Sequence, residues 1–124
     1  MEFQKDNSFI SGRLKSVSFA VKGAVKLITT EHSIMVQFFF FLIMTIVGFF
    51  MHITTTEWLF QTLAIGLVMS VEGINTAVEK IADFIHPNFH EKIGFIKDIA
   101  AGAVFFAALT AVAIGLIIYV PKFL

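Results

Sequence analysis

The stretch IMVQFFFFLIMTIVGFFM, residues 34–51, is an apolar run of 18 residues broken only by Gln37, Thr45 and Gly48. As a helix rising 1.5 Å per residue it extends about 27 Å, which suits the hydrocarbon core of a bilayer. The rest of the chain keeps the same company. It has 124 residues, of which 57% are hydrophobic, 16 are Phe and only 15% are charged, with a mean hydropathy of +0.87. Soluble domains are about a quarter charged, and so short a chain cannot enclose this much apolar surface in a core of its own. A single-domain membrane protein over 1–124 is expected.

Upstream, residues 9–29 are amphipathic. Ile10, Leu14, Val17, Val21, Ala24, Val25 and Ile28 share one face, with Lys15, Lys22 and Lys26 opposite and Arg13 at the edge of the apolar side. Such a basic helix is expected to lie in the membrane interface. Arg13, Lys15, Lys22 and Lys26 also interrupt it too often for a signal peptide. Thr29-Thr30-Glu31 offers an N-cap and first-turn acid for the helix that follows.

Downstream, three transmembrane helices are expected over 33–51, 57–85 and 93–120. Residues 52–56, with His52, read as a short exposed turn. Trp58 reads as an interfacial anchor. Pro87 breaks the chain, so HPNFHEKIG (86–94) reads as a loop, and Pro121 stops the last helix. That helix is rich in Ala and Gly between Ala100 and Gly115, which lets helices approach closely in lipid. The fold class is all-α: a surface helix plus three spans. Lys5, Arg13, Lys15, Lys22 and Lys26 on one side, with Lys80, Lys92 and Lys97, put the N-terminus and the 84–96 loop in the cytoplasm.

At the inner end of the second span lies VEGINTAVEKIAD, residues 71–83. Glu72, Asn75, Glu79 and Asp83, at spacings of three, four and four, fall on one stripe of a helix at about 100° per residue. Acids at membrane depth are costly unless they bind something. Lys80 marks the water level and Glu72 lies about 12 Å deeper by helical rise. Three polar groups converge on this boundary: Glu31, the stripe, and Lys97-Asp98. Without cysteine, disulfides, thiol chemistry and Cys-based zinc sites are excluded. Carboxylates favour a hard cation, Mg²⁺, and hence phosphate, whose oxygens Lys97 and Arg13 can neutralise. Glu72, the deepest acid and partly removed from water, is the candidate proton acceptor for a lipid hydroxyl. No GxxxxGK(S/T) or GxGxxG motif is present, which excludes P-loop and Rossmann nucleotide sites. Spacing alone leaves three readings open: a lipid kinase, a stripe that glues helices together in a scaffold, and a proton- or cation-coupled transporter.

VEGINTAVEKIAD (71–83) together with IKDIAAGAV (96–104) resembles the small bacterial integral-membrane lipid kinases, the prokaryotic diacylglycerol kinase family that includes undecaprenol kinases. The resemblance covers essentially the whole chain. It implies a homotrimer with active sites shared between subunits, in the bacterial cytoplasmic membrane, using ATP and Mg²⁺ and no nucleic acid. Glu72 matches the catalytic base. Glu31 and Glu79 match the metal-associated acids, and Asn75, Lys97 and Asp98 match nucleotide-site positions. Asn88, Phe89 and His90 fall in the loop that approaches the nucleotide. Phe19 replaces a tyrosine near the adenine, and Arg13 aligns within one position of an ATP-contacting arginine. Ser33 and Gln37 depart from the Asn and His that relatives often carry there. AAGAV after the Lys-Asp pair, and the C-terminal GLIIYVPKFL, resemble the undecaprenol-kinase branch, so undecaprenol is the favoured substrate and diacylglycerol the alternative.

Overall fold

The computed structural model describes residues 9–124. Four α-helices follow one another: α1, Phe9–Thr30; α2, His32–Phe50; α3, Thr55–Ile85; and α4, Glu91–Tyr119, which runs into a 3₁₀ turn, Val120–Phe123. Three stretches, His32–Phe50, Thr55–Ile85 and Glu91–Phe123, are long and apolar enough to cross a membrane. Most of their large apolar side chains face outward, with Phe50 at 81% exposed and Ile117 at 73%. That is the expected surface of helices whose surroundings are lipid or other helices rather than water. The chain divides into two compact units, Met1–Phe38 and Phe39–Leu124.

In the first unit a single non-helical residue, Glu31, separates α1 from α2. The expected cap by Thr29 and Thr30 is not what forms. Both hydroxyls turn back along α1, donating to the carbonyls of Val25 (2.7 Å) and Lys26 (2.5 Å). Threonine can serve either purpose, and helical backbone up to Thr30 supplies acceptors at i−4. The Arg13 guanidinium sits 4.9 Å from the centre of the Phe9 ring, and Lys22 sits 5.8 Å from that of Phe19.

In the second unit, α2 ends in a Schellman closure. The N–H of Ile53 donates to the Gly48 carbonyl (3.2 Å) and that of His52 to the Phe49 carbonyl (3.3 Å). His52 takes the left-handed conformation (φ 52°) at the position where glycine is customary. Gly48 is needed for a different reason: a Cβ there would lie 2.7 Å from the Trp58 ring. Helix α3 starts two residues earlier than the sequence suggested, at Thr55, because Thr54 and Glu57 form a capping box. The Thr54 hydroxyl accepts from the Glu57 N–H (3.2 Å), and the Glu57 carboxylate accepts from the Thr54 N–H (2.9 Å). The loop after α3 is shorter than expected, since α4 begins at Glu91. His90 is its N-cap, accepting from the Lys92 N–H (3.1 Å). Pro121 does end the α-helix, though the backbone continues through one 3₁₀ turn.

Ile53, Ile118 and Tyr119 form the buried core of this unit, with Met44, Val47, Met51, Trp58 and Ile114 packed against them. Side chains of α2, α3 and α4 thus meet at one end of the unit. At the other end, toward Ile85 and Glu91, lies the polar segment of α3.

Candidate functional site

Helix α3 buries Gln61, Ala64, Val68, Glu72 and Thr76, a row spaced three or four residues apart and therefore on one face. Three of the five are polar, at a position where lipid or packed side chains replace water. Gln61 is fully engaged and is taken up below. Glu72 is 8% exposed and Thr76 equally so. The Thr76 hydroxyl donates to the Glu72 carbonyl (3.0 Å), which satisfies the hydroxyl. Thr76 is a buried polar residue at the centre of the site that the sequence reading passed over. Its signal was legible, a polar residue four places from Glu72.

One turn outward, the Asn75 amide donates to the Glu79 carboxylate (3.2 Å). A carboxylate only accepts, so the amide nitrogen must face Glu79 and the Asn75 Oδ1 must point away. That oxygen is buried, with no hydrogen-bond partner among the described residues. A buried orphan acceptor is costly. No group of three or more His, Asp or Glu side chains among the described residues is placed to hold a metal. Mg²⁺ does not require one, since it is usually held by one or two carboxylates, with waters and substrate phosphates completing the octahedron. The exposed Glu79 carboxylate fits that role.

Another turn on, Asp83 pairs with Lys97 across the α3–α4 loop (2.6 Å). Lys97 is thereby presented beside exposed Asp98 at the start of α4. In the loop itself, His86 Nδ1 faces the Asn88 carbonyl (2.6 Å), so that nitrogen carries a proton. His90 Nδ1 accepts from Lys92, so in neutral His90 the proton is on Nε2. The two rings meet edge to face at 5.2 Å. Phe89 is 89% exposed; its ring approaches Gly94 closely enough that a Cβ there would touch it at 3.4 Å.

The structure therefore brings Asn75 together with Glu79, and Asp83 with Lys97, and gathers Asn88, Phe89 and His90 in one loop. Arg13, Phe19 and Glu31 belong to the other compact unit. There Arg13 is exposed, while Phe19 and Glu31 are half-buried.

The sequence pattern of prokaryotic diacylglycerol kinase matches residues 18–119, a range that takes in every candidate residue except Arg13. An undecaprenol kinase of Bacillus subtilis is 40% identical over 77 residues, covering 62% of this chain and 63% of that protein. A diacylglycerol kinase of Synechocystis sp. is 42% identical over 59 residues, covering 47% of this chain and 34% of that protein. The matched stretches thus span less than two thirds of either relative's length. The pattern match alone extends over most of the present sequence, and it carries both motifs. The chain belongs to the prokaryotic diacylglycerol kinase family.

Proposed function

We propose that this protein is an integral-membrane lipid kinase that transfers the γ-phosphoryl group of ATP to the hydroxyl of a lipid alcohol. Undecaprenol is the favoured substrate, giving undecaprenyl phosphate; diacylglycerol, giving phosphatidic acid, is the second reading. The observation that carries the proposal is Glu72, a carboxyl group 8% exposed in the middle of a helix long enough to span a bilayer. About two turns away stands the exposed Glu79 carboxylate, an oxygen donor suited to Mg²⁺. The identity to the undecaprenol kinase supports the choice of lipid.

In the reaction the lipid hydroxyl oxygen forms a bond to the γ-phosphorus. The bond from that phosphorus to the β–γ bridging oxygen breaks, ADP leaves, and the hydroxyl proton passes to Glu72. The lipid approaches from the bilayer, where a buried base meets it without competing water. Glu31 and Glu79 are the residues that would hold Mg²⁺, which would neutralise charge on the phosphates when bound, and Asn75 belongs to the nucleotide site. Lys97 presents a compact positive charge to phosphate oxygens, oriented by Asp83. Phe19, Arg13, Asp98 and the Asn88–His90 loop complete the nucleotide site. By the distribution of basic residues this face is cytoplasmic, and the working form is a homotrimer whose subunits share active sites.

Purified protein in detergent, supplied with labelled ATP, Mg²⁺ and each lipid in turn, tests the proposal. Label is expected in undecaprenol above diacylglycerol. Glu72→Gln should lower turnover by about 10²- to 10⁴-fold, the usual contribution of a general base. Stabilisation by a non-hydrolysable ATP analogue should survive that substitution. Wild-type rates in the Glu72→Gln variant would remove Glu72 as the base. Ion flux in liposomes without any lipid labelling would favour a transporter.

A further inference from the structure

Helix α4 is capped by a residue that helices seldom choose. Ser, Thr, Asp and Asn are the favoured N-caps because a side-chain oxygen accepts a backbone N–H of the first turn, and near neutral pH those oxygens do not titrate. His90 caps with a ring nitrogen instead. Its Nδ1 accepts from the Lys92 N–H (3.1 Å), with the backbone extended at φ −144° and ψ 139°. Only a neutral imidazole has a lone pair to offer there, and histidine is the side chain that changes charge between about pH 5 and 8. A proton added at Nδ1 sets one N–H against another and places a cation on the positive end of the helix dipole.

The neighbouring histidine lacks this weakness. His86 Nδ1 donates to the Asn88 carbonyl (2.6 Å), so a proton gained at its Nε2 leaves that bond intact. The two rings meet edge to face at 5.2 Å, and with both charged they repel. Of the other charged groups nearby, Glu91 and Lys92 follow His90 in the chain with opposite signs. Asp83, at the end of α3, is bonded to Lys97 (2.6 Å).

We propose that His90 is a pH-sensitive cap, whose protonation releases the first turn of α4, opens the α3–α4 loop and weakens the hold on Mg-ATP as pH falls. The cap stands on geometry alone. Its nucleotide consequence rests on the lipid-kinase reading, because Lys97 and Asp98 follow His90 by about two turns of the same helix.

Amide hydrogen exchange tests the cap in the full-length protein, in detergent and without nucleotide, with rates corrected for the intrinsic effect of pH. Between about pH 8 and about pH 6, across the histidine range, residues 92–95 of the wild type should lose about fivefold in protection, the scale of one lost N-cap. His90→Asn supplies a cap that does not titrate there and should keep its protection; His90→Asp does the same and replaces it if the Asn variant misfolds. In turnover assays the KM for Mg-ATP should rise about fivefold more over that range in wild type than in the capped variant. Wild-type protection that does not change with pH would overturn the proposal, as would an equal loss in the variant. So would a Mg-ATP KM that falls on acidification in the wild type alone, since the cation would then be meeting phosphate rather than releasing the helix. Wild-type protein that phosphorylates no lipid alcohol would bring down the kinase reading and the nucleotide consequence, while the exchange comparison would still decide the cap.

Discussion

The phenolic hydroxyl of Tyr119 donates to Gln61 Oε1 at 2.5 Å, joining residues 58 apart in sequence across a buried contact between α4 and α3. The same amide's nitrogen donates to the Met44 carbonyl in α2 (3.1 Å). One glutamine therefore ties three helices at the end of the bundle remote from the acidic segment. Lys122 adds an ion pair to Glu57 (3.1 Å) at the same end. The contrast with the other end is chemical: here each polar atom of the amide has a partner, whereas near Glu72 the Asn75 oxygen has none among the described residues.

Replacing Tyr119 with Phe keeps the ring and removes only the donor. Interhelical hydrogen bonds in membrane proteins average about 0.6 kcal/mol and reach about 1.7. The Tyr119→Phe variant should accordingly lose about 1 kcal/mol of stability, read from denaturant unfolding in mixed micelles. Gln61→Ala should lose more, because it strands the hydroxyl and leaves a void. Neither change touches the candidate site, so KM values for lipid and Mg-ATP should hold.

His52 offers the opposite sign. A side chain in the left-handed region costs about 1–2 kcal/mol relative to the right-handed one, and glycine carries almost none of that penalty. His52 is exposed, so little packing is lost with its ring. His52→Gly should raise stability by about 0.5–1 kcal/mol and shift the micellar unfolding midpoint upward. A lower midpoint would mean that the imidazole makes a contact worth more than the strain it carries.

The spans were legible because hydropathy and length alone select helices in a bilayer, and the acidic segment was legible because charge at that depth is conspicuous. Thr54 and Glu57 show what lay one step further: the spacing for a capping box is present in TTTEW, but three consecutive threonines conceal which one caps. Thr29 and Thr30 could cap forward or bond backward, and only the helix preceding them decides. The pairing of Gln61 with Tyr119 is a long-range contact that no local pattern carries. Asp83 read from sequence as one member of the stripe, and its bond to Lys97 across the α3–α4 loop is likewise a contact that the helical period does not carry.

Lys97 and Asp83 make a partly exposed pair, with 39% and 59% of their side chains accessible. Pairs of that kind contribute about 1 kcal/mol or less. If Asp83 only steers the ammonium group, Asp83→Asn should change the KM for Mg-ATP by less than about fivefold. Lys97→Met removes the charge proposed to meet phosphate, and its kcat/KM should fall by about 10²-fold or more. Equal losses in the two variants would show that the carboxylate, rather than the cation, is what the nucleotide site requires.

The Asn75–Glu79 pair gives the most direct test of the metal. Glu79→Gln keeps the size and still accepts a hydrogen bond from the Asn75 amide, so helix geometry should survive while the negative charge is lost. Hard cations depend on that charge. The Mg²⁺ concentration for half-maximal activity should therefore rise by about tenfold or more at fixed ATP, and the lipid KM should stay put. Asn75→Asp works differently. It adds a charge next to Glu79, and without bound metal the two carboxylates repel each other. The variant should be less stable in chelator than the wild type, and Mg²⁺ should raise its Tm more than it raises that of the wild type. If Mg²⁺ stabilises wild type and Asn75→Asp alike, position 75 does not face the cation, which must then be held by the phosphates and Glu79 without it.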